Sequence, residues 1–130
     1  MVVAAKVTLI GNNQAYLDVR GAVLVHFWQV ATFALDQGAE PDLSNDLAVI
    51  CASLTSDAQQ GWVDRIRLEK PQMLIVRMNG FDSGPLNGAD ATVDDDHGPG
   101  ALVSTIYELL TERGLESRDW PEPIEGGWVQ

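Results

Sequence analysis

Trp62-Val63-Asp64-Arg65-Ile66-Arg67-Leu68-Glu69 sets Trp62, Asp64, Ile66 and Leu68 against Val63, Arg65, Arg67 and Glu69. A period of two is the signature of a half-exposed strand, and it puts Arg65 and Arg67 together on the solvent side. Pro71 ends the run, and Gln72 to Met78 (QMLIVRM) reads as another strand beyond it. Upstream, Leu47 to Leu54 (LAVICASL) lies between Ser44-Asn45-Asp46 and Thr55-Ser56-Asp57 and reads as a buried strand. A helix starting at Ser44 competes with that assignment, because periodicity cannot decide so short a run. Together these strands make an antiparallel meander.

Working outward, Val7 to Ile10 has β character and stops at the turn signal Gly11-Asn12-Asn13. From Ala15 to about Gln37 the period becomes helical, with Leu17, Leu24, Val25, Trp28, Ala31, Thr32 and Leu35 on one stripe. Val23, Phe27, Val30, Phe33 and Ala34 fill much of the remaining circumference, and Gly38 supplies a stop. A helix apolar nearly all round is buried on more than one side. The expectation is that Phe27 and Phe33 contribute to a surface shared with a second chain.

Asn79 to Gly100 is rich in Gly, Asp and Pro, with a short β-like piece at Ala91-Thr92-Val93. A second amphipathic helix follows from about Pro99 to Arg113, with Leu102, Val103, Ile106, Leu109 and Leu110 as its stripe. The predicted architecture is one α+β domain over residues 1–130, a small antiparallel sheet packed with two main amphipathic helices. Residues 115–130 form an irregular tail docked through Trp120, Ile124 and Trp128.

The chain has 130 residues and a net charge of −11, with a sequence pI near 4.3. That balance excludes a broad basic face for nucleic acid. The acids are uneven: residues 1–78 carry −2 and residues 79–130 carry −9. Four of the eight bases, Arg65, Arg67, Lys70 and Arg77, crowd into the expected meander. A basic edge meeting the acidic segment of another copy gives head-to-tail association, which closes into a ring when the rotation allows. The interface residues singled out are Phe27, Phe33, Arg65, Arg67, Arg77, Asp94, Asp95 and Asp96.

Asp94-Asp95-Asp96-His97 is the only cluster with the composition of a metal site. Consecutive residues diverge, however, and acids just before a helix are favoured by its dipole, so an acidic helix lead-in accounts for them better. His26 sits amid apolar residues as a structural side chain, and Cys51 lies inside an apolar run where a thiol is generally inert. A single cysteine excludes an internal disulfide framework. Gly80, Gly84 and Gly88 match neither a dinucleotide fingerprint nor a P-loop, and no Gly-x-Ser-x-Gly occurs. Trp28 and Trp62 fall on expected apolar faces. No catalytic residue, cofactor or metal is therefore expected.

The order helix, strands, Pro71 leading into LIVRM, a glycine-bearing excursion, a β-like return and an amphipathic helix runs from Ala15 to Gly114. It resembles the tail-terminator or tail-completion subunits of long-tailed phages. That resemblance implies a hexameric ring at the head-proximal end of a tail tube, with an acidic lumen repelling DNA. The alternative reading is an acidic module that neutralises a basic partner, an immunity protein or a nucleic-acid mimic. Both are non-enzymatic and act through protein partners, with a homo-oligomer favoured and no sequence-specific nucleic-acid or membrane contact. The short N-terminal apolar stretch precedes Lys6, the wrong order for a secretory signal, and Gly21–Leu35 is too interrupted to cross a bilayer. The expected location is the cytoplasm, or a virion for a phage-encoded chain.

Overall fold

The structure, a computed structural model, describes residues 5–80, 84, 86–95 and 98–115. Five strands form one sheet in the order β2-β1-β3-β4-β5: β1 (Lys6–Gly11), β2 (Gln29–Ala34), β3 (Leu47–Ile50), β4 (Leu74–Asn79) and β5 (Ala91–Asp94). Every neighbouring pair is parallel, with registers Val7↔Val30, Val7↔Leu47, Leu47↔Leu74 and Val76↔Ala91. The antiparallel meander and the α+β class are thus replaced by a doubly wound α/β sheet. Parallel strands cannot be joined by hairpins and need crossovers over a face of the sheet.

Two helices lie in those crossovers, α1 (Gln14–Leu24) between β1 and β2 and α2 (Ser56–Glu69) between β3 and β4, and α3 (Pro99–Glu112) follows β5 as further cover. On one face Leu17 and Leu24 of α1 and Leu102, Val103, Ile106 and Leu110 of α3 pack on Val7, Leu9, Val49 and Val76. On the other, Val63 and Ile66 of α2 meet Ile10, Ala48, Ile50 and Ile75. The period of two along β1 and β3 divides these partners between the two faces. Because β3 is covered on both sides, LAVI is buried throughout, as the sequence reading expected of a strand there. The β-like 91–93 piece and the helix beginning at Pro99 also stand where that reading put them.

Two segments take different forms. The single helix expected over 15–37 is a helix, a turn and a strand. Asn13 caps α1 by accepting Tyr16 N–H at 3.1 Å, the helix stops at Leu24, and Val30, Thr32 and Phe33 continue as β2. A strand facing α1 and capped by aromatics is apolar on both faces, which mimics a helix buried all round. His26 falls in the exposed turn, not within a helix.

The expected strand over 62–69 is the second half of α2, whose start is capped by Thr55 accepting Ala58 N–H at 3.2 Å. Its buried positions are Gln59, Val63 and Ile66, spaced four and three, while Leu68 is 84% exposed. Leu68 made the alternation look like a strand. On a helix, residues two apart diverge, so Arg65 and Arg67 do not share a face.

Candidate site at the carboxyl end of the sheet

In an open α/β sheet the crevice for a ligand lies outside the carboxyl ends of the strands, where the strand order reverses. Here β1 leads to β2 on one side and adjoins β3 on the other, so the switch point lies between β1 and β3. The residues leaving those strands are Gly11, Asn12 and Asn13, and Cys51, Ala52 and Ser53. Cys51 N–H donates to Ile10 carbonyl at 2.9 Å, and Asn12 N–H donates to Ser53 Oγ at 3.0 Å, tying the two strand ends together. A Cβ on Gly11 would stand 2.8 Å from Ser53 Oγ, 3.1 Å from Leu17 Cδ2 and 3.3 Å from Cys51 Cβ. At Gly11, therefore, the β1–β3 junction is closely packed and leaves no room for a side chain. Cys51 is fully buried, and burial pushes its thiol up to about 12.

Beside it stands a charged cluster. Arg20 Nη2 donates to Asp95 Oδ1 and to Tyr16 Oη at 3.0 Å, with its guanidinium carbon 4.3 Å from the centre of the Tyr16 ring. Burial, together with the Asp95 carboxylate, holds the Tyr16 phenol well above its ordinary value. Asp94, at the end of β5, accepts from Asn79 Nδ2 at the end of β4, 2.9 Å away. Both described members of the acidic cluster thus have partners, and Asp96 and His97 lie outside the described residues. The described residues contain no grouping of three or more His, Cys, Asp or Glu side chains able to hold a metal ion.

A second polar knot closes the ends of β3 and β4. Gln59 is fully buried; its Nε2 donates to the carbonyls of Cys51 at 3.1 Å and Met78 at 3.0 Å, and its Oε1 accepts Arg77 Nε at 2.9 Å. β3 ends at Ile50, so the Met78 carbonyl outlasts the ladder, and Gln59 supplies the donor that a longer β3 would have given. Arg77 Nη2 donates to the Gly84 carbonyl at 2.6 Å, and burial alone pulls its guanidinium below its ordinary value.

The other residues singled out from sequence are dispersed. Phe27 is half-buried in the turn before β2, its ring 5.5 Å from that of the buried Trp28, and Phe33 is half-buried on β2. Trp62 packs against the core beneath α2. Arg65 is exposed, bonded to Glu69 at 2.8 Å and stacked on Trp62. Arg67 reaches the Asp90 carboxylate and the Gly88 carbonyl at 2.8 Å each, and the Met73 carbonyl at 2.8 Å. Arg77 is 4% exposed. Tyr16, Arg20 and Gln59 have no part in the sequence reading, and Gly11 enters it only within a turn signal. The available signal was Asn13 three residues before Tyr16, an N-cap spacing that places Tyr16 and Arg20 on one helix face.

No family model and no curated protein matches this chain. Among solved structures, it is similar to a response regulator receiver domain protein (CheY-like) from Methanospirillum hungatei JF-1, at 20% identity and a TM-score of 0.69, covering 88% of this chain and 99% of that one. It is similar to the chemotaxis protein CheY4 of Vibrio cholerae at 15% identity and a TM-score of 0.65, covering 83% and 100%. The BeF3-activated DrrB receiver domain matches at 15% identity and a TM-score of 0.64, covering 84% and 99%. These likenesses give the fold, which is CheY-like. The tail-terminator resemblance is overturned by them, and the ring-subunit and acidic-module readings are set aside with it. A virion location loses its support as well. Among the described residues, no helix is long and apolar enough to cross a membrane.

Proposed function

We propose that this chain is a receiver-type signalling module that works through protein contacts and does not store its signal as an aspartyl phosphate at the sheet's switch point. The CheY-like fold supports the first half, since several structures sharing it are response regulator receiver domains. Fold likeness is an analogy, so the site carries the second half.

Accepting a phosphoryl group on a carboxylate needs that carboxylate as nucleophile and hard oxygen ligands for a magnesium ion. The two strands flanking the switch point end in Gly11-Asn12-Asn13 and Cys51-Ala52-Ser53, without a carboxylate between them. The buried, neutral Cys51 thiol at the end of β3 is the observation that carries the reading. A protonated thiol is a poor nucleophile and a poor ligand for a hard cation. Just past the end of β5, the Asp95 carboxylate is neutralised by Arg20 instead of standing free for a cation.

The test is to expose the protein to acetyl phosphate with Mg2+, and separately to beryllofluoride with Mg2+. Intact mass and amide NMR shifts of Asn12, Ala52 and Asn79 are the readouts. No 80 Da adduct (approximately the mass of one phosphoryl group) and no saturable shift are expected. A stoichiometric adduct, or saturable shifts at those amides, would overturn the proposal.

A further inference from the structure

Sheet edges present unpaired backbone donors and acceptors, and proteins usually guard them with charge, proline or short strands. At one edge β5 is short, four residues ending in Asp94, so it offers little backbone to another strand. At the opposite edge β2, QVATFA, is longer and has no charge and no proline. It lies within Gly21–Leu35, a stretch without Asp, Glu, Lys or Arg in a chain of net charge −11. Two such acidic chains repel over much of their surfaces, and this edge is where that repulsion is least.

The backbone parity of β2 is fixed. Gln29 N–H donates to the Ala5 carbonyl at 3.0 Å, so Gln29, Ala31 and Phe33 turn their backbone groups toward β1. Val30 and Thr32 turn theirs outward, and the Ala34 carbonyl is taken by Ala39 N–H at 3.3 Å. Among the described residues, β1 is the only strand laddered with β2. The side chains of Val30 and Thr32 face Gly21 of α1. Ala31 and Phe33 occupy the other face, where the connection after β2 has only the 3-10 turn Leu35–Gln37 for regular cover, and both are half-buried.

We propose that β2 is a self-association edge, through which two copies pair antiparallel about a two-fold axis at Ala31 and join their sheets into one. This rests on the edge itself and not on the signalling reading above. The register follows from parity. A hydrogen-bonded antiparallel pair needs two residues that both face outward, so Val30 of one copy exchanges bonds with Thr32 of the other, and the reverse. Ala31 then faces Ala31 as a non-hydrogen-bonded pair with Cα atoms about 4.5 Å apart, where a methyl group fits without clash. Phe33 lies opposite Gln29. The pairing is isologous and closes at the dimer.

Sedimentation of the full chain, from low micromolar to several hundred micromolar, should show a monomer–dimer equilibrium. Thr32→Pro removes an N–H that faces away from β1, so the internal ladder survives while half of the cross-axis hydrogen bonds are lost. The dimer Kd should rise roughly tenfold or more. Ala31→Lys sets like charges against each other across the axis and should also dissociate the dimer. Circular dichroism at a dilution where both proteins are monomeric checks that each variant is folded. Should Thr32→Pro fail that check, Ala31→Lys and the cross-link decide.

Ala31→Cys should form a disulfide-linked dimer on mild oxidation, since the expected Cα separation is within disulfide range. Val25→Cys, exposed but off the strand, should not. A wild-type chain that stays monomeric throughout overturns the proposal, including the case in which the edge serves a foreign strand. A dimer unmoved by Thr32→Pro and Ala31→Lys overturns it equally.

Discussion

Replacing Gln59 with leucine keeps side-chain bulk and removes every polar contact of the amide. The native side chain is fully buried and makes three bonds: to Cys51 carbonyl, to Met78 carbonyl and from Arg77 Nε. Their losses are unequal. The Cys51 carbonyl keeps Leu54 N–H at 3.2 Å, so its share is small. The Met78 carbonyl loses the donor that stands in for the missing ladder, a penalty of about 1–3 kcal/mol for a buried unsatisfied group. Arg77 keeps the Gly84 carbonyl but loses a bond to a buried charge, worth about 1.5–3 kcal/mol. Gln59→Leu should therefore destabilise the fold by about 3–5 kcal/mol, a large part of a typical domain's total. Urea denaturation followed by tryptophan fluorescence measures this. Arg77→Met in the leucine background should cost less than in the wild type, because the orphaned guanidinium is then gone. A Gln59→Leu protein within about 1 kcal/mol of wild type would refute the role given to the amide, as would strict additivity of the two substitutions.

Gly11→Ala should cost about 1–3 kcal/mol by overpacking the β1–β3 junction, with Ser53→Ala relieving part of it in the double variant; urea midpoints of the four proteins show this. Arg67→Ala should destabilise by about 1–3 kcal/mol, since Arg67 ties α2 to Met73, Gly88 and Asp90, whereas Arg65→Ala should leave the unfolding midpoint almost unmoved; thermal unfolding separates them. Cys51 should resist iodoacetamide at pH 8 in the native state and react readily in urea, as judged by intact mass. Its folded value, about 12, lies above the ordinary 9.0, so the stabilisation is complete below about pH 9 and declines as pH rises further; Cys51→Ala should make the loss of stability above pH 9 shallower in urea titrations.

What the sequence made legible was set by how many faces each element buries. LAVI lies between two layers, and a short run bounded by turn residues on either side has few other readings. The helix from Pro99 shows a clean stripe against polar residues because one face alone is buried. The misreadings occurred where apolar residues serve two purposes. Val25, 58% exposed, and Trp28, buried, fell on one imagined helical stripe although a turn separates α1 from β2. Leu68 supplied an apolar signal from a solvent-facing position, and it converted a helix into a strand on paper. Reading β2 as the end of a helix and the second half of α2 as a strand removed the alternation of β and α that marks a parallel sheet.

The site was less legible for a different reason. Its members come from residues 11–20, 51–59, 77–79 and 94–95, which only the parallel register brings together. Gln59 has no local signature at all, because its importance derives from where β3 happens to stop. The acidic run was visible, but its pairing with Arg20, far away in the chain, was not.

The place of β1 has a consequence for how the chain is made. It emerges from the ribosome before β2 and β3, yet it ends between them, so its second edge must wait for residues 47–50. At synthesis rates of about 5–20 residues per second, the stretch from the end of β2 to the end of β3 takes roughly one to three seconds. Throughout that interval a nascent β1–α1–β2 unit would carry Val7, Leu9 and Ile10 along an open edge, with the chain's longest uncharged stretch beside it. Neighbouring ribosomes on one message would hold such units close together. The strand that anchors the finished sheet is thus the one most in need of shielding while the sheet is still being written.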